Sequence, residues 1–382
     1  MNAATDISYK MINSRSKLED FVRTIENEKA VGVDLEADSM YHFKEKVCLV
    51  QMAAANINVV IDPLIVKDLS PLKPIFARRD ICKIFHGADY DVRSLYRDFR
   101  FTIHNLFDTE LASRFLGVPE TGLEAVLKKK FAVTLDKKFQ RKDWSRRPLP
   151  PDMIAYAAED ARYLLPLAES LKAELDEKNR LEWVYEECEY LSRVRPITVN
   201  DQPLYMNFKG AGKLDTRSLA VLEALLGFRR EVARRKDKPL FRVFGNRSLV
   251  ELAGKKPLDL KQLEKTGALS ARQISMYGRK MLTAIQGAMK LPKEALPVYP
   301  RIKGPRVPPK VAGRVKALRN WRDKQAQKLA IDPALICNKA LMSSIAAQRP
   351  LKLSELAAIK EMKNWQRKEF GQDIVKVLRQ AH

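Results

Sequence analysis

Cysteine and histidine are scarce, with four of each in 382 residues. Cys48, Cys82, Cys188 and Cys337 form no C-x-x-C pair, and His42, His86, His104 and His382 do not cluster with them, which argues against a disulfide scaffold or a zinc site. No run reaches the roughly 18 apolar residues that a membrane span needs. The N-terminal stretch MNAATDISYKMINSRSKLED has no apolar h-region and no small-residue cleavage site, so neither a signal nor a transit peptide is expected. The default address is cytoplasmic, with no membrane partner. Acidic residues are also in deficit, 47 against 70 Lys and Arg, for a formal charge of +23.

The deficit is confined to one half of the chain. Residues 1–200 hold 31 basic against 32 acidic residues, and the remainder holds 39 against 15. A basic surplus that large favours a polyanionic partner, because each neutralised phosphate releases condensed counterions. Solubility or an acidic protein partner are the other readings of charge alone. A length of 382 residues points to two or three domains.

Three β-branched segments between Lys29 and Asp62, AVGVDLEA, VCLVQMAA and INVVID, predict strands of a meander opening a mixed sheet. ICKIFHGA reads as a buried strand running into a helix from about Asp89 to Asp98, and NLFDT as a short strand ending at a helix cap. Helical patterns follow at 109–117 and 122–130, and one long helix is expected from Pro151 to about Asn179. This half is therefore α/β. Pro196, Pro203, Gly210 and Gly212 mark a boundary, beyond which no strand pattern returns. The second half repeats itself: Phe228-Arg229, Pro257-Leu258 and Gly278 are echoed 93 residues later by Trp321-Arg322, Pro350-Leu351 and Gly371. Two copies of a helical module are implied, held apart by a linker with six prolines between Pro292 and Pro309.

Asp34 and Glu36 sit two apart in the first strand pattern, so both carboxylates point to one face while Leu35 packs behind. Alone, D-x-E also suits a surface edge strand. Asp91 falls on the first turn of a helix at a strand's carboxyl end, where ligands gather in open α/β sheets; it or Asp89 could equally complement the helix dipole. Tyr156 and Asp160 are i, i+4 on a later helix and share a face. Together these oxygen donors suit Mg²⁺ or Mn²⁺.

In that order and spacing, VGVDLEAD, IFHGADYDVRSL and YAAEDARYLL resemble the three motifs of the DEDD 3′–5′ exonucleases with tyrosine in the third motif, and specifically the ribonuclease D family. NLFDTELASRFLG and KDWSRRPLP are also similar to that family, and the second half resembles two helicase-and-RNase-D C-terminal (HRDC) modules. The resemblance implies a ribonuclease H-like exonuclease domain at 1–195 and all-α HRDC bundles at 210–293 and 308–382. It implies Asp34, Glu36, Asp91 and Asp160 as ligands of two divalent metal ions, Mg²⁺ or Mn²⁺, and Tyr156 as the residue that positions water. The expected activity is 3′–5′ trimming of RNA with release of 5′ mononucleotides, and the expected partner is precursor tRNA or other structured RNA with a 3′ tail. A DNA exonuclease and a non-catalytic RNA-binding protein are the rival classes. Oligomeric state is not fixed by the sequence, and a monomer is the default.

Other residues are open to two readings. His86 either contacts the terminal nucleotide or closes a buried strand as a core residue. Trp144 and Arg147 either stack on a base and bind phosphate or pack beneath their loop. Asp108-Thr109 reads better as a helix cap than as a ligand. Arg229, Arg230, Arg234, Arg235 and Lys236 lie along an amphipathic helix whose basic face is available to phosphates. On this reading residues 210–382 capture RNA and could be removed without loss of short-strand hydrolysis.

Overall fold

The computed structural model describes residues 9–196, 202–300 and 308–381. The linker expected between Pro292 and Pro309 and the boundary near 194–213 fall partly outside these residues. The chain divides into two compact units: one of residues 1–37, 47–196 and 305–382, the other of 38–46 and 197–304.

The first unit is built on a six-stranded sheet of β1 (Lys10–Ile12), β2 (Ala30–Ala37), β3 (Val47–Ala54), β4 (Ile57–Ile61), β5 (Cys82–Phe85) and β6 (Leu106–Asp108), in the order β1-β4-β3-β2-β5-β6. The β2-β3-β4 meander is antiparallel, whereas β1, β5 and β6 join in parallel, giving the mixed sheet that the alternating patterns predict. β3 is buried along its whole length, so it reads as an apolar run rather than as an alternating one.

One helix differs from expectation. The stretch from Pro151 is broken at Tyr163 into Pro151–Arg162 and Leu164–Glu177. Pro166 has no N–H to give the carbonyl of Arg162, and its ring crowds that turn, so the first helix ends and a second begins with the proline in its opening turn.

The second helical copy, Pro309–Leu329, Lys339–Gln348 and Asn364–Gln380, belongs to this same unit, and its core side chains are continuous with those of the sheet. The other unit has its own core under the helices Thr216–Arg235, Asn246–Lys255, Leu260–Lys265 and Ala271–Met289. No strand follows β6 among the described residues, and no helix there is long and apolar enough to cross a membrane.

Candidate active site

Asp34 and Glu36 project from one face of β2, and Leu35, 8% exposed, packs on the other. The helix Pro151–Arg162 crosses that first face closely. A Cβ on Gly32 would stand 2.9 Å from the carbonyl of Ala161, so only glycine admits the helix at this depth. The helix brings Tyr156 and Asp160 over the strand, and the helix Asp89–Phe99 brings Asp91, which is buried, up from the end of β5. Asp34, Glu36, Tyr156 and Asp160 line one cleft of about 380 Å³.

Electrostatics tie Asp91 to the same group. Burial first, then the charges of Asp34, Asp160 and Asp91, hold the carboxyl of Glu36 well above the ordinary range. Asp91 is pushed up by burial and then by Asp34 and Asp108. Burial raises Asp34 to about 6, against a backbone hydrogen bond at Leu35. Asp160 is raised to about 8 by burial, with Asp34 and Glu159 adding to it. Carboxylates in such surroundings ionise together only beside a compensating cation. The donor set, all carboxylate oxygen, fits a hard divalent ion. Among the described residues no set of three or more His, Cys, Asp or Glu side chains is arranged to hold a metal ion as it stands.

Tyr156 is held from two sides by the segment that precedes its helix. Phe139 meets its ring edge to face at 5.7 Å, and Trp144 lies stacked at 6.1 Å. Burial and the nearby carboxylates raise the phenol further above its usual value, so it stays protonated.

Trp144 and Arg147, expected as substrate contacts or as loop packing, are both engaged within the fold. Trp144 is 1% exposed and has no face open to a base. Arg147 donates through Nε and Nη2 to Asp62, at 2.5 and 2.9 Å, and also to the carbonyls of Cys48 and Trp144, which ties the loop to the sheet. His86 lines the cleft with Nδ1 2.9 Å from the Thr109 hydroxyl. Burial lowers its pKa, so the ring is neutral at pH 7. Asp108 is a cap: it accepts from the backbone N–H of Glu110 and Leu111, and also from Gly87 and Ala88. Asp89 is spent on a forked pair with Arg93. Sequence reasoning missed Glu124, Asp136, Lys137 and Gln140, which complete the cleft wall. Glu124 lies within the helical pattern at 122–130 but carried no mark of the cleft, and Asp136, Lys137 and Gln140 lie beyond it where no periodicity marks them.

A family model described as 3′-5′ exonuclease matches residues 9–176, and one described as HRDC domain matches 218–285 and 311–378. Ribonuclease D of Desulfotalea psychrophila is 28% identical over 99% of this chain and 97% of its own length. Ribonuclease D of Escherichia coli is 30% identical over 76% of this chain and 78% of that protein. The crystal structure of Escherichia coli RNase D, described as an exoribonuclease involved in structured RNA processing, superposes with a TM-score of 0.73 at 25% identity, covering 98% of this chain and 99% of the other. With the acidic cleft, the tyrosine above it and the two helical copies all in place, the chain belongs to the ribonuclease D family of 3′–5′ exoribonucleases.

Proposed function

We propose that the protein removes nucleotides one at a time from the 3′ ends of precursor tRNA or other structured RNA, releasing 5′ mononucleotides, with two divalent ions, Mg²⁺ or Mn²⁺, held by Asp34, Glu36, Asp91 and Asp160. The observation that most supports this is the convergence of Asp34, Glu36, Tyr156 and Asp160 on one cleft, with Asp91 near enough for its charge to act on Glu36. When bound, such a metal pair supplies a water of lowered pKa and neutralises charge on the leaving 3′ oxygen. The acids would hold the ions, and Tyr156, a phenol whose ordinary pKa of about 10 already lies well above neutral pH, would be a poor base there. Its hydroxyl instead donates a hydrogen bond that aims the attacking water, and the Phe139 and Trp144 rings keep it on line.

RNA capture falls to the basic face of the first helical copy, where Arg230, Arg234 and Arg235 are exposed. Phosphate contacts of this kind position a substrate without reading its sequence. Arg229 is not part of that face: it is buried and donates to the carbonyl of Phe244 and to Asn246. The test is trimming of a 5′-labelled RNA with a single-stranded 3′ tail by wild type and Asp34→Asn in Mg²⁺ or Mn²⁺. Loss of at least a hundredfold in the variant is expected; equal trimming would remove Asp34 from the site. A matched DNA strand degraded in preference to the RNA would reject the substrate assignment.

A further inference from the structure

The side chain of Gln51 is fully buried, and neither its Oε1 nor its Nε2 has a hydrogen-bond partner. Burying an unpaired amide is costly, and methionine or leucine would fill similar space without that cost. Its cross-strand neighbour on β4, Val60, is fully buried and apolar and does not call for a polar group there.

The sheet register places this amide. Gln51 is the direct cross-strand partner of Asp34 on β2, with Val60 on its other side. Opposite residues of an antiparallel pair share a face, with Cβ atoms about 4.5 to 5.5 Å apart. That face carries Gly32, Asp34 and Glu36 on β2 and Asn58 on β4, and it is covered by the helix Pro151–Arg162. Two contacts fix the cover: Asn58 Nδ2 donates to the carbonyl of Ala158 at 2.7 Å, and Gly32 meets the carbonyl of Ala161. Gln51 therefore lies beside the strand that bears Asp34 and beneath the helix that bears Tyr156 and Asp160.

We propose that Gln51 is a positioning residue of the metal site: its amide, unpaired in the chain alone, turns its N–H to the Asp34 carboxylate when a cation is bound and so fixes which of that carboxylate's oxygens faces the cation. The chemistry favours glutamine over a charged donor. A lysine or arginine here would neutralise Asp34 and compete with the metal, whereas a neutral amide orients the carboxylate and leaves its charge available. On that face Val60 offers no polar atom and Asn58, whose Oδ1 is also unpaired, is only diagonal to Gln51, whereas Asp34 is directly opposite, which makes Asp34 the preferred acceptor. The proposal rests on the reading of Asp34 as a metal ligand.

The experiment compares full-length wild type, Gln51→Met, Gln51→Leu and Asp34→Asn. Three quantities are read: Tm in chelator, Mn²⁺ affinity of the stripped protein by calorimetry, and trimming rate against Mn²⁺ concentration. Gln51→Met and Gln51→Leu are expected to melt in chelator at or above the wild-type temperature, yet to bind Mn²⁺ roughly 10- to 100-fold more weakly and to need correspondingly more metal for trimming. A merely structural glutamine would give the reverse, a lower Tm with unchanged metal affinity, and that result in both variants overturns the proposal. Wild-type Mn²⁺ affinity in both glutamine variants, with metal lost only in Asp34→Asn, overturns the role of Gln51 alone. Wild-type binding and trimming by Asp34→Asn overturns the metal-ligand reading, and the proposal with it.

Discussion

Arg229 in the first helical copy and Arg322 in the second stand 93 residues apart, and each sends Nη1 to an equivalent carbonyl, that of Phe244 in one and Cys337 in the other. Gln273 and Gln366 repeat the correspondence, donating to the carbonyls of Val243 and Ile336. Gly278 and Gly371 each receive a leucine methyl, from Leu260 and Leu353, at the same 3.0 Å from where a Cβ would be. The internal frame is thus one design used twice. The outer faces are not. Arg272 is exposed, but its equivalent Trp365 is 4% exposed, stacked on Trp183 at 4.7 Å and edge-on to Phe115 at 5.5 Å. In the first copy Ser270 caps its own helix by accepting from Gln273 N. Lys363 in the second copy has no acceptor to offer, and the carboxylate of Glu186 accepts from Asn364 N and Trp365 N instead, each at 2.8 Å. Arg180, also buried, joins the carbonyls of Phe115 and Leu329. Where the first copy shows Arg230, Arg234 and Lys238, the second has Asp323, Gln327 and Ile331, which line a recess with Gly117 and Val118. One copy builds the core of its own unit and keeps a basic face; the other is a wall of the catalytic unit.

This contrast predicts that the two copies are not interchangeable as deletions. Ending the chain after residue 307 strips the apolar cover from Trp183 and Phe115, so the catalytic unit is expected to lose cooperative folding and with it the hydrolysis of even short single strands. Near-ultraviolet circular dichroism and trimming of a short oligonucleotide would show this; a truncated chain with full short-strand activity would separate the second copy from the catalytic body after all. The expectation that residues 210–382 serve RNA capture alone leaves out this shared core, in which the second copy belongs to the unit of the sheet. A point change makes the same comparison more finely. Trp365→Ala should cost about 3–5 kcal/mol in the melting of the catalytic unit, while Arg272→Ala at the equivalent exposed site stays within about 0.5 kcal/mol.

Acid–base behaviour separates the units next. Asp34 at about 6 and Asp160 at about 8, both raised chiefly by burial, make the folded catalytic unit bind more protons than its unfolded chain. In chelator its stability therefore falls as pH rises from about 4 to about 8, and Mn²⁺ added at pH 8 should restore it. Asp34→Asn should flatten that slope. In the first copy Asp215 is lowered, chiefly by the N–H of Ser218, so its contribution has the opposite sign and is lost as pH falls through the carboxylate range. Thermal melts across pH, resolved into two transitions, would check this. Parallel pH profiles for the two transitions would contradict it.

How much of this could be read from the sequence depends on whether a residue's role is local. The strands of the meander were legible because β-branched runs declare themselves, and Asp108 because a cap is set by its immediate neighbours. The acids of the cleft were legible as a set through the order of their motifs, although the cleft itself is made by a glycine, Gly32, whose meaning lies in a helix 129 residues away. Pro166 broke a helix that apolar periodicity alone continues. Trp144 and Arg147 stayed open to two readings because a tryptophan and an arginine in a loop suit a base and a phosphate as well as they suit an aromatic core and a buried carboxylate. Gln51 and Trp365 carried no signal at all, since one looks like a polar residue in a strand and the other like an apolar residue in a helix. Their roles are cross-strand and cross-domain.

The smallest effect tests the electrostatic side of the contrast. If the exposed face of the first copy holds RNA through its phosphates, replacing Arg230, Arg234 and Lys238 together by glutamine should lower affinity similarly for unrelated RNA sequences. It should also flatten the plot of log affinity against log salt, by about 0.7 to 0.9 for each phosphate no longer neutralised. The fold should not change, because these side chains are exposed and the frame arginine, Arg229, is left in place. Hydrolysis of a short single strand, which needs only the cleft, should stay near the wild-type rate while trimming of tRNA-like substrates slows at raised salt. Filter binding at several salt concentrations would distinguish the outcomes. An unchanged slope would move RNA capture off this face, and leave the charge of the first copy without the role that its difference from the second suggests.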